Sequence, residues 1–321
     1  MGGARERRVA DLGYSSRKVS CNMIRACDAL DILRTKNRDN PEWINRGLYR
    51  LLYNPTLHIM AYERLKSKPG NMTPGSDGQT LDGFSVDVIQ ELIGLLRMEQ
   101  YHPTPVRRVY IPKKDKRKRR PLGVPSPRDK IVQECVRLIL EAIYEPTFHD
   151  NSHGFRPGRS CHTALESLRR NWKGTKWVIE ADITACFEQI DHHRLLDILR
   201  ERIEDDRFIN LIRKFLNAGY LEDWKYHRTY SGTPQGSVVS PILTNIYLDK
   251  LDQKLEAICQ QYTQGEHRKL NATYYGIQEQ RKRLLMLGEA EPALRETLKG
   301  KILDLNRRML RTSVYEFNDP S

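Results

Sequence analysis

The chain has 321 residues, 39% hydrophobic and 30% charged, long enough to bury a sizeable core in one to three domains. Lysine and arginine number 54 against 41 acidic residues, and the resulting net charge of +13 points to a polyanionic partner. No apolar run is long enough to span a membrane, and six cysteines without a CxxC pair rule out a disulfide framework and a zinc site.

Residues 1–40 are polar and basic, with weak periodicity at Met23, Ile24, Ala26, Leu30 and Leu33, which predicts one short helix and a mobile tail. The start carries Arg5, Arg7, Arg8, Arg17, Lys18 and Arg25 without the apolar core of a secretory signal. The expected location is cytoplasmic, with a mitochondrial address as the alternative, against which Glu6 and Asp11 argue. From Pro41, the residues Trp43, Ile44, Leu48, Leu51 and Leu52 recur at helical spacing, with the proline near the helix start. Residues 66–78 are rich in Gly, Pro and Ser and read as a loop carrying Lys66 and Lys68. Residues 86–98 form a helix, with Val88, Ile89, Leu92, Ile93 and Leu96 on one face.

Next comes a basic run, Arg107, Arg108, Lys113, Lys114, Lys116, Arg117, Lys118, Arg119 and Arg120, which for most proteins would be a solvated loop. Here Val109 to Ile111 and Leu122 to Val124 bracket it as two short strands, so the expectation is a hairpin with a basic fork at its tip. Residues 131–144 are helical up to Pro146. Arg156 and Arg159 flank a Pro157-Gly158 turn, open to two readings, surface solvation or phosphate contact, and residues 163–172 form another helix. Thr175 to Ala181 reads as a buried strand delivering Asp182 at its end, followed by Ile183, Ala185, Cys186 and Phe187 and a helix over about 191–203. After apolar residues 211–216, a strand-like segment from Trp224 to Tyr230 leads to Thr233-Pro234-Gln235-Gly236-Ser237. This is a turn that cannot be helical, and its Gly236 permits close approach of a flat ligand before Ile242, Leu243, Ile246 and Leu248 resume a helix. Residues 260–311 turn to Gln, Glu, Lys, Arg and Leu at helical spacing and predict an αα-hairpin. It is either a brace or, through cations including Arg281, Lys282 and Arg283, an RNA-binding or dimerising arm. The order of elements gives an α+β fold, with helices over one face of a small antiparallel sheet.

Taken together, the strand-end Asp182, the Thr-Pro-Gln-Gly turn and the basic segment 111–125 resemble a reverse transcriptase, specifically the group II intron maturases. Residues 74–78 with 82–85 look like that family's N-terminal extension, 108–133 like its fingers, and 152–165 like its next block. The match is closest to the subgroup, with mitochondrial and bacterial members, that carries a helical insertion after the Thr-Pro-Gln-Gly helix. The resemblance implies right-hand polymerase fingers and palm. It divides the chain into a basic tail (1–40), an N-terminal extension (41–100), fingers (101–172), a partial palm (173–259) and a basic helical insertion (260–321).

By the same resemblance, the activity is RNA-directed DNA synthesis by two-Mg²⁺ nucleotidyl transfer, combined with splicing of a group II intron. Asp182 and the Ile183 carbonyl would hold Mg²⁺, with Asp182 the catalytic carboxylate. Lys113 and Arg120 would clamp the dNTP triphosphate, Ala185 and Cys186 would line the sugar pocket, and Phe187 would exclude a ribose 2′-hydroxyl. Gln235 and Gly236 would lie against the incoming nucleotide. The expected partners are intron RNA, RNA template and DNA primer, with no membrane and a homodimer as an option. Contacts to RNA fall to Lys66, Lys68, Arg107, Arg108, Lys114, Lys116, Arg117, Lys118, Arg119, Arg156, Arg159 and the Arg281 to Arg283 cluster. Family members carry a Tyr-Ala-Asp-Asp hairpin that this sequence lacks, and Ser237 stands where they often have glycine. The chain is therefore expected to be a piece of a longer enzyme, inactive by itself. The competing reading is a non-catalytic intron-RNA-binding splicing factor.

Overall fold

The computed structural model describes residues 16–68, 70–82, 84–112, 117, 119–172, 177–233, 236–262, 271–312 and 314, with side chains from residue 26 onward. The chain is α+β and divides into two compact units, residues 1–250 and 251–321.

In the first unit, helix α1 (Ser16–Asp39) is longer than the short helix its weak periodicity suggested, and Ala26 and Leu30 bury into the core. The expected helix after Pro41 is not formed. Asn45–Arg46 make a two-residue strand β1, then Leu48–Tyr53 form a 3₁₀ turn entered through Gly47 at φ 67°. The reason lies in Asn45, whose side-chain amide is buried and exchanges hydrogen bonds with Asn37 of α1 while its backbone N–H donates to the Arg202 carbonyl. Those bonds hold the segment extended. Helix α2 (Pro55–Lys66) starts where Asn54 caps it and Pro55 fills the first turn. Helix α3 (Val86–Arg97) follows, capped by Ser85, with Ile89, Leu92, Ile93 and Leu96 buried.

The hairpin of β2 (Val106–Pro112) and β3 (Arg119–Val124) pairs Ile111 with Arg120 and Pro112 with Arg119. Helix α4 (Pro127–Tyr144) is the centre of the core. Ser126 caps it, and its residues are buried on almost every side, packed by α1 and α2 among others. Helix α5 (Cys161–Asn171) has a capping box between Ser160 and Thr163 and buries none of its residues. Helix α6 (His192–Arg200), strand β4 (Ile203–Glu204, parallel to β1) and helix α7 (Asp206–Leu216) complete the core, followed by the hairpin β5 (Tyr220–Glu222) and β6 (Lys225–His227). The main sheet runs β3-β2-β5-β6 and is mixed, because β2 and β5 are parallel where an all-antiparallel sheet was expected.

Of the strand expected over 175–181, residues 175 and 176 lie outside the described residues, and 177–181 form no strand. Residues 177–183 are irregular, with Trp177 79% and Ile179 95% exposed, and no described strand pairs with them. A run of apolar β-formers does not hold as a strand without a ladder partner. Helix α8 (Ser240–Tyr262) begins in the first unit. In the second unit, α9 (Ala272–Ala290) and α10 (Arg295–Arg311) form the expected αα-hairpin over buried Ile277, Leu298 and Leu305. Its turn is closed by a 3₁₀ segment at Pro292–Leu294.

Candidate nucleotide and RNA site

The turn between β6 and α8 is anchored at both ends. On its entry side, the Thr233 N–H donates to the Phe187 carbonyl (2.6 Å), the Gly232 N–H to the Ile190 carbonyl (2.8 Å), and Ser231 Oγ to the Glu188 carbonyl. His192 Nε2 donates to the Gly232 carbonyl at 2.7 Å. Gly232 has φ 80°, and a Cβ there would stand 2.6 Å from the Glu188 carbonyl oxygen, so only glycine lets the two segments lie together. On the exit side, buried Gln133 of α4 accepts from Ser237 Oγ (2.7 Å) and from the Val238 N–H (3.0 Å) with one side-chain oxygen. Gly236, at φ 99°, lies on β3, where a Cβ would meet the Gly123 carbonyl at 2.6 Å. Thr233 is thus tied to the 186–190 segment, and Gly236 lies against the β2-β3 hairpin. Pro234 and Gln235 themselves are outside the described residues.

Beside Gly236 opens a cavity of about 1060 Å³, lined among others by Ile111, Leu122, Phe155, Lys68, Lys130 and Arg137. Two of its cations, Lys130 and Arg137, are held in place. Arg137 is buried beside Glu134 and Glu141; burial alone would lower its pKa, but the two carboxylates prevail and keep it protonated. Lys130 donates to the Thr73 carbonyl at 3.2 Å, and burial lowers its pKa below that of an ordinary lysine.

The residues expected at a nucleotide site are distributed unevenly. Ala185 adopts a left-handed conformation (φ 52°) and opens the short 3₁₀ turn Cys186–Glu188. Phe187 is half-buried, edge-on to Phe155 with ring centroids 6.4 Å apart, and burial raises the Cys186 thiol's pKa. Asp182 and Ile183 are exposed, and neither lines the large cavity. Arg120 is exposed at the loop end of the hairpin, whereas Lys113 falls outside the described residues, as do Lys114, Lys116 and Lys118.

The basic residues divide by how far the fold already uses them. Arg117, Arg119 and Lys68 are exposed. Lys66 pairs with Glu63, and Arg159 with Asp150. Arg107 donates twice to the Pro74 carbonyl and so fixes the 70–78 loop to β2. Arg108 stacks on Tyr220 at 3.5 Å and pairs with Glu222. Arg156 is used most fully by the fold. Its side chain is only 4% exposed, bonded to Glu145 and to the carbonyls of His149 and Ser152, so it ties the 149–156 loop together. In the second unit, Lys282 and Arg283 are exposed, and the buried Nε of Arg281 has no hydrogen-bond partner.

Sequence reasoning passed over Gln133. The signal was present: Lys130, Gln133, Glu134, Arg137 and Glu141 form a polar stripe on a helix whose remaining residues are core, and a buried polar stripe needs partners.

Reverse transcriptase domains generally use Mg²⁺, but among the described residues no group of three or more His, Cys, Asp or Glu could hold a metal ion. Asp182 supplies one hard oxygen ligand of the right kind, and one carboxylate is not a two-metal site.

Residues 111–275 match the family model described as reverse transcriptase (RNA-dependent DNA polymerase). The chain belongs to the reverse transcriptase family, among the group II intron-encoded proteins and maturases. It is 44% identical over 255 residues to the group II intron-encoded protein LtrA of Lactococcus lactis subsp. cremoris, an alignment covering 79% of this chain and 43% of that protein. Against an uncharacterized 91 kDa protein in the cob intron of Schizosaccharomyces pombe, identity is 53% over 229 residues, covering 71% and 28%. Against nuclear intron maturase 4, mitochondrial, of Arabidopsis thaliana it is 31% over 138 residues, covering 43% and 17%. The chain thus spans less than half the length of each of these relatives. Among the described residues no helix is long and apolar enough to cross a membrane. With a bacterial relative and one named as mitochondrial, both of the expected locations stay open.

Proposed function

We propose that the chain forms the fingers and the first part of the palm of a right-hand RNA-directed DNA polymerase that also serves as splicing maturase for a group II intron. The observation that carries this reading is the doubly anchored Thr-Pro-Gln-Gly turn, which joins the Phe187 segment to the basic fingers hairpin through hydrogen bonds at one end and Gly236 at the other. The chain's own residues bind and orient. Arg120 and Lys113 take the triphosphate of a dNTP, Gly236 and Gln235 lie against the nucleotide, and Phe187 excludes a 2′-hydroxyl. Asp182 is the carboxylate assigned to Mg²⁺, and no reaction step is built on it because the described residues do not complete its ligand set. RNA template, DNA primer and intron RNA are held by the exposed cations of the fingers, the 66–78 loop and the helical arm. The bacterial cytoplasm and the mitochondrion both suit this role, and self-association of the arm into a homodimer is part of the same reading.

The test is primer extension on an RNA template beside RNA binding. The 321-residue chain is expected to retain structured RNA without extending a primer. In a longer protein that includes it, Asp182→Ala should abolish extension and leave RNA affinity within about twofold, since one carboxylate contributes far less to holding a long polyanion than to the reaction. Asp182-dependent extension by the chain alone would overturn the first expectation. Parallel loss of extension and affinity in the variant would make Asp182 structural. The second reading is an intron-RNA-binding splicing factor without catalysis, and extension by the longer protein would exclude it.

A further inference from the structure

The β5-β6 hairpin displays aromatic rings that no core uses. Trp224 at its apex is 92% exposed, Tyr230 beyond it 80%, and Tyr226 also lies open to solvent. The apex is a two-residue turn, Asp223-Trp224, closed by the pairing of Glu222 with Lys225. Both central residues sit at positive φ, 49° and 62°. A turn of this kind favours Asn-Gly, and a bulky aromatic in the left-handed region is an outlier that persists only where something else requires it. The fold gains almost no burial from Trp224, so the requirement lies outside the fold.

The rings are also built into position. Gly219, at φ 76°, lies under Tyr226, whose ring a Cβ at that position would strike at 2.6 Å. Arg108, Tyr220 and His227 form a stacked column, with 3.5 Å from guanidinium to ring and 4.9 Å from ring to ring, and exposed His227 stands at one end. Arg228 stands over Tyr230 at 5.6 Å, and together they border a cavity of about 340 Å³ that reaches Thr233. Of the nearby carboxylates, Glu222 is engaged by Arg108 and Tyr110, while Asp223 is exposed. Lys225 and Arg228 are both exposed.

We infer that this hairpin is a base-stacking platform for single-stranded nucleic acid, with Trp224, Tyr226 and Tyr230 taking bases and Lys225 and Arg228 taking the backbone. Open π-faces interleaved with cations are what a single strand requires, and they tolerate any base. The inference rests on the reading that the chain binds nucleic acid and adds a surface that reading does not use.

The experiment measures fluorescence anisotropy of labelled 12-mer oligo(U) and oligo(dT) with the 321-residue chain and its Trp224→Gly variant, alongside thermal melts and binding of a structured RNA. Glycine relieves the backbone strain, so the melting temperature should rise by a few degrees. Oligonucleotide affinity should nevertheless fall about tenfold. A purely structural tryptophan cannot give that opposite pair of shifts. A Tyr230→Ala variant should weaken the same oligonucleotides, and the stronger binder of the two reports whether the platform takes template-like RNA or primer-like DNA. Unchanged oligonucleotide affinity in Trp224→Gly, or a lowered melting temperature accompanying weaker binding, overturns the platform. If the parent chain holds structured RNA but neither oligonucleotide, the platform alone fails. If it holds none of the three, the broader nucleic-acid reading fails with it.

Discussion

His58 shows how a single buried group sets a pH limit. It is fully buried on α2, its Nε2–H donates to the Leu52 carbonyl at 2.8 Å, and its Nδ1 has no partner. Burial depresses its pKa from 6.5 to about 4, with the backbone hydrogen bond opposing. A depressed folded-state pKa contributes stability that is complete above pH 6.5 and is lost as the unfolded chain takes up a proton the folded chain refuses, down to about pH 4. Between pH 7 and pH 5 the share from His58 is about 2 kcal/mol. Urea unfolding at the two pH values should show that loss, and His58→Gln should remove most of the pH dependence. An identical loss in the variant would assign it to other groups. Little of this was legible in the sequence, where one histidine on an apolar helix resembles any other. The same holds for Arg156, whose engagement with three separate loop groups is visible only when the loop is folded.

At the scale of elements, the sequence was most legible where periodicity and punctuation agreed. Helices α3, α4, α9 and α10 and the basic hairpin stand close to where their apolar spacing, Pro and Gly predict. It was least legible where a distant partner decides. Asn45 keeps a helical pattern extended by bonding residues from Asn37 to Arg202, and the apolar run before Asp182 forms no ladder with any described strand. The Thr-Pro-Gln-Gly turn lies between these cases, with its irregular backbone readable and its anchors not. Those anchors predict a coupling. Gln133→Leu leaves the Ser237 hydroxyl and the Val238 N–H buried without an acceptor, which should cost about 2 kcal/mol. Ser237→Gly removes one of the two donors, so adding it to Gln133→Leu should cost less than the two single changes summed. A double-mutant cycle from urea melts measures the difference, and strict additivity would mean that Gln133 does not hold the turn through Ser237.

For the molecule as a whole, the charge surplus forecast a polyanionic partner, but the formal count overstates the cations free to meet one. Arg107, Arg108, Arg137 and Arg156 are tied to groups within the chain and Arg283 pairs with Glu279, while Arg119, Arg120 and Lys68 of the first unit and Lys282 on the helical hairpin face solvent. Binding of structured RNA should therefore weaken linearly on a log–log salt plot, by roughly 0.7 to 0.9 per neutralised phosphate, DNA values that guide the folded-RNA case. The helical hairpin can be tested separately, because replacing Arg281, Lys282 and Arg283 together with glutamine alters one surface of its own compact unit. If that surface contacts RNA, the slope should flatten by up to roughly 2 to 3 and affinity should fall most at low salt. An unchanged slope with unchanged affinity would assign the hairpin to bracing or self-association, and sedimentation of the variant beside the parent chain would then separate those two.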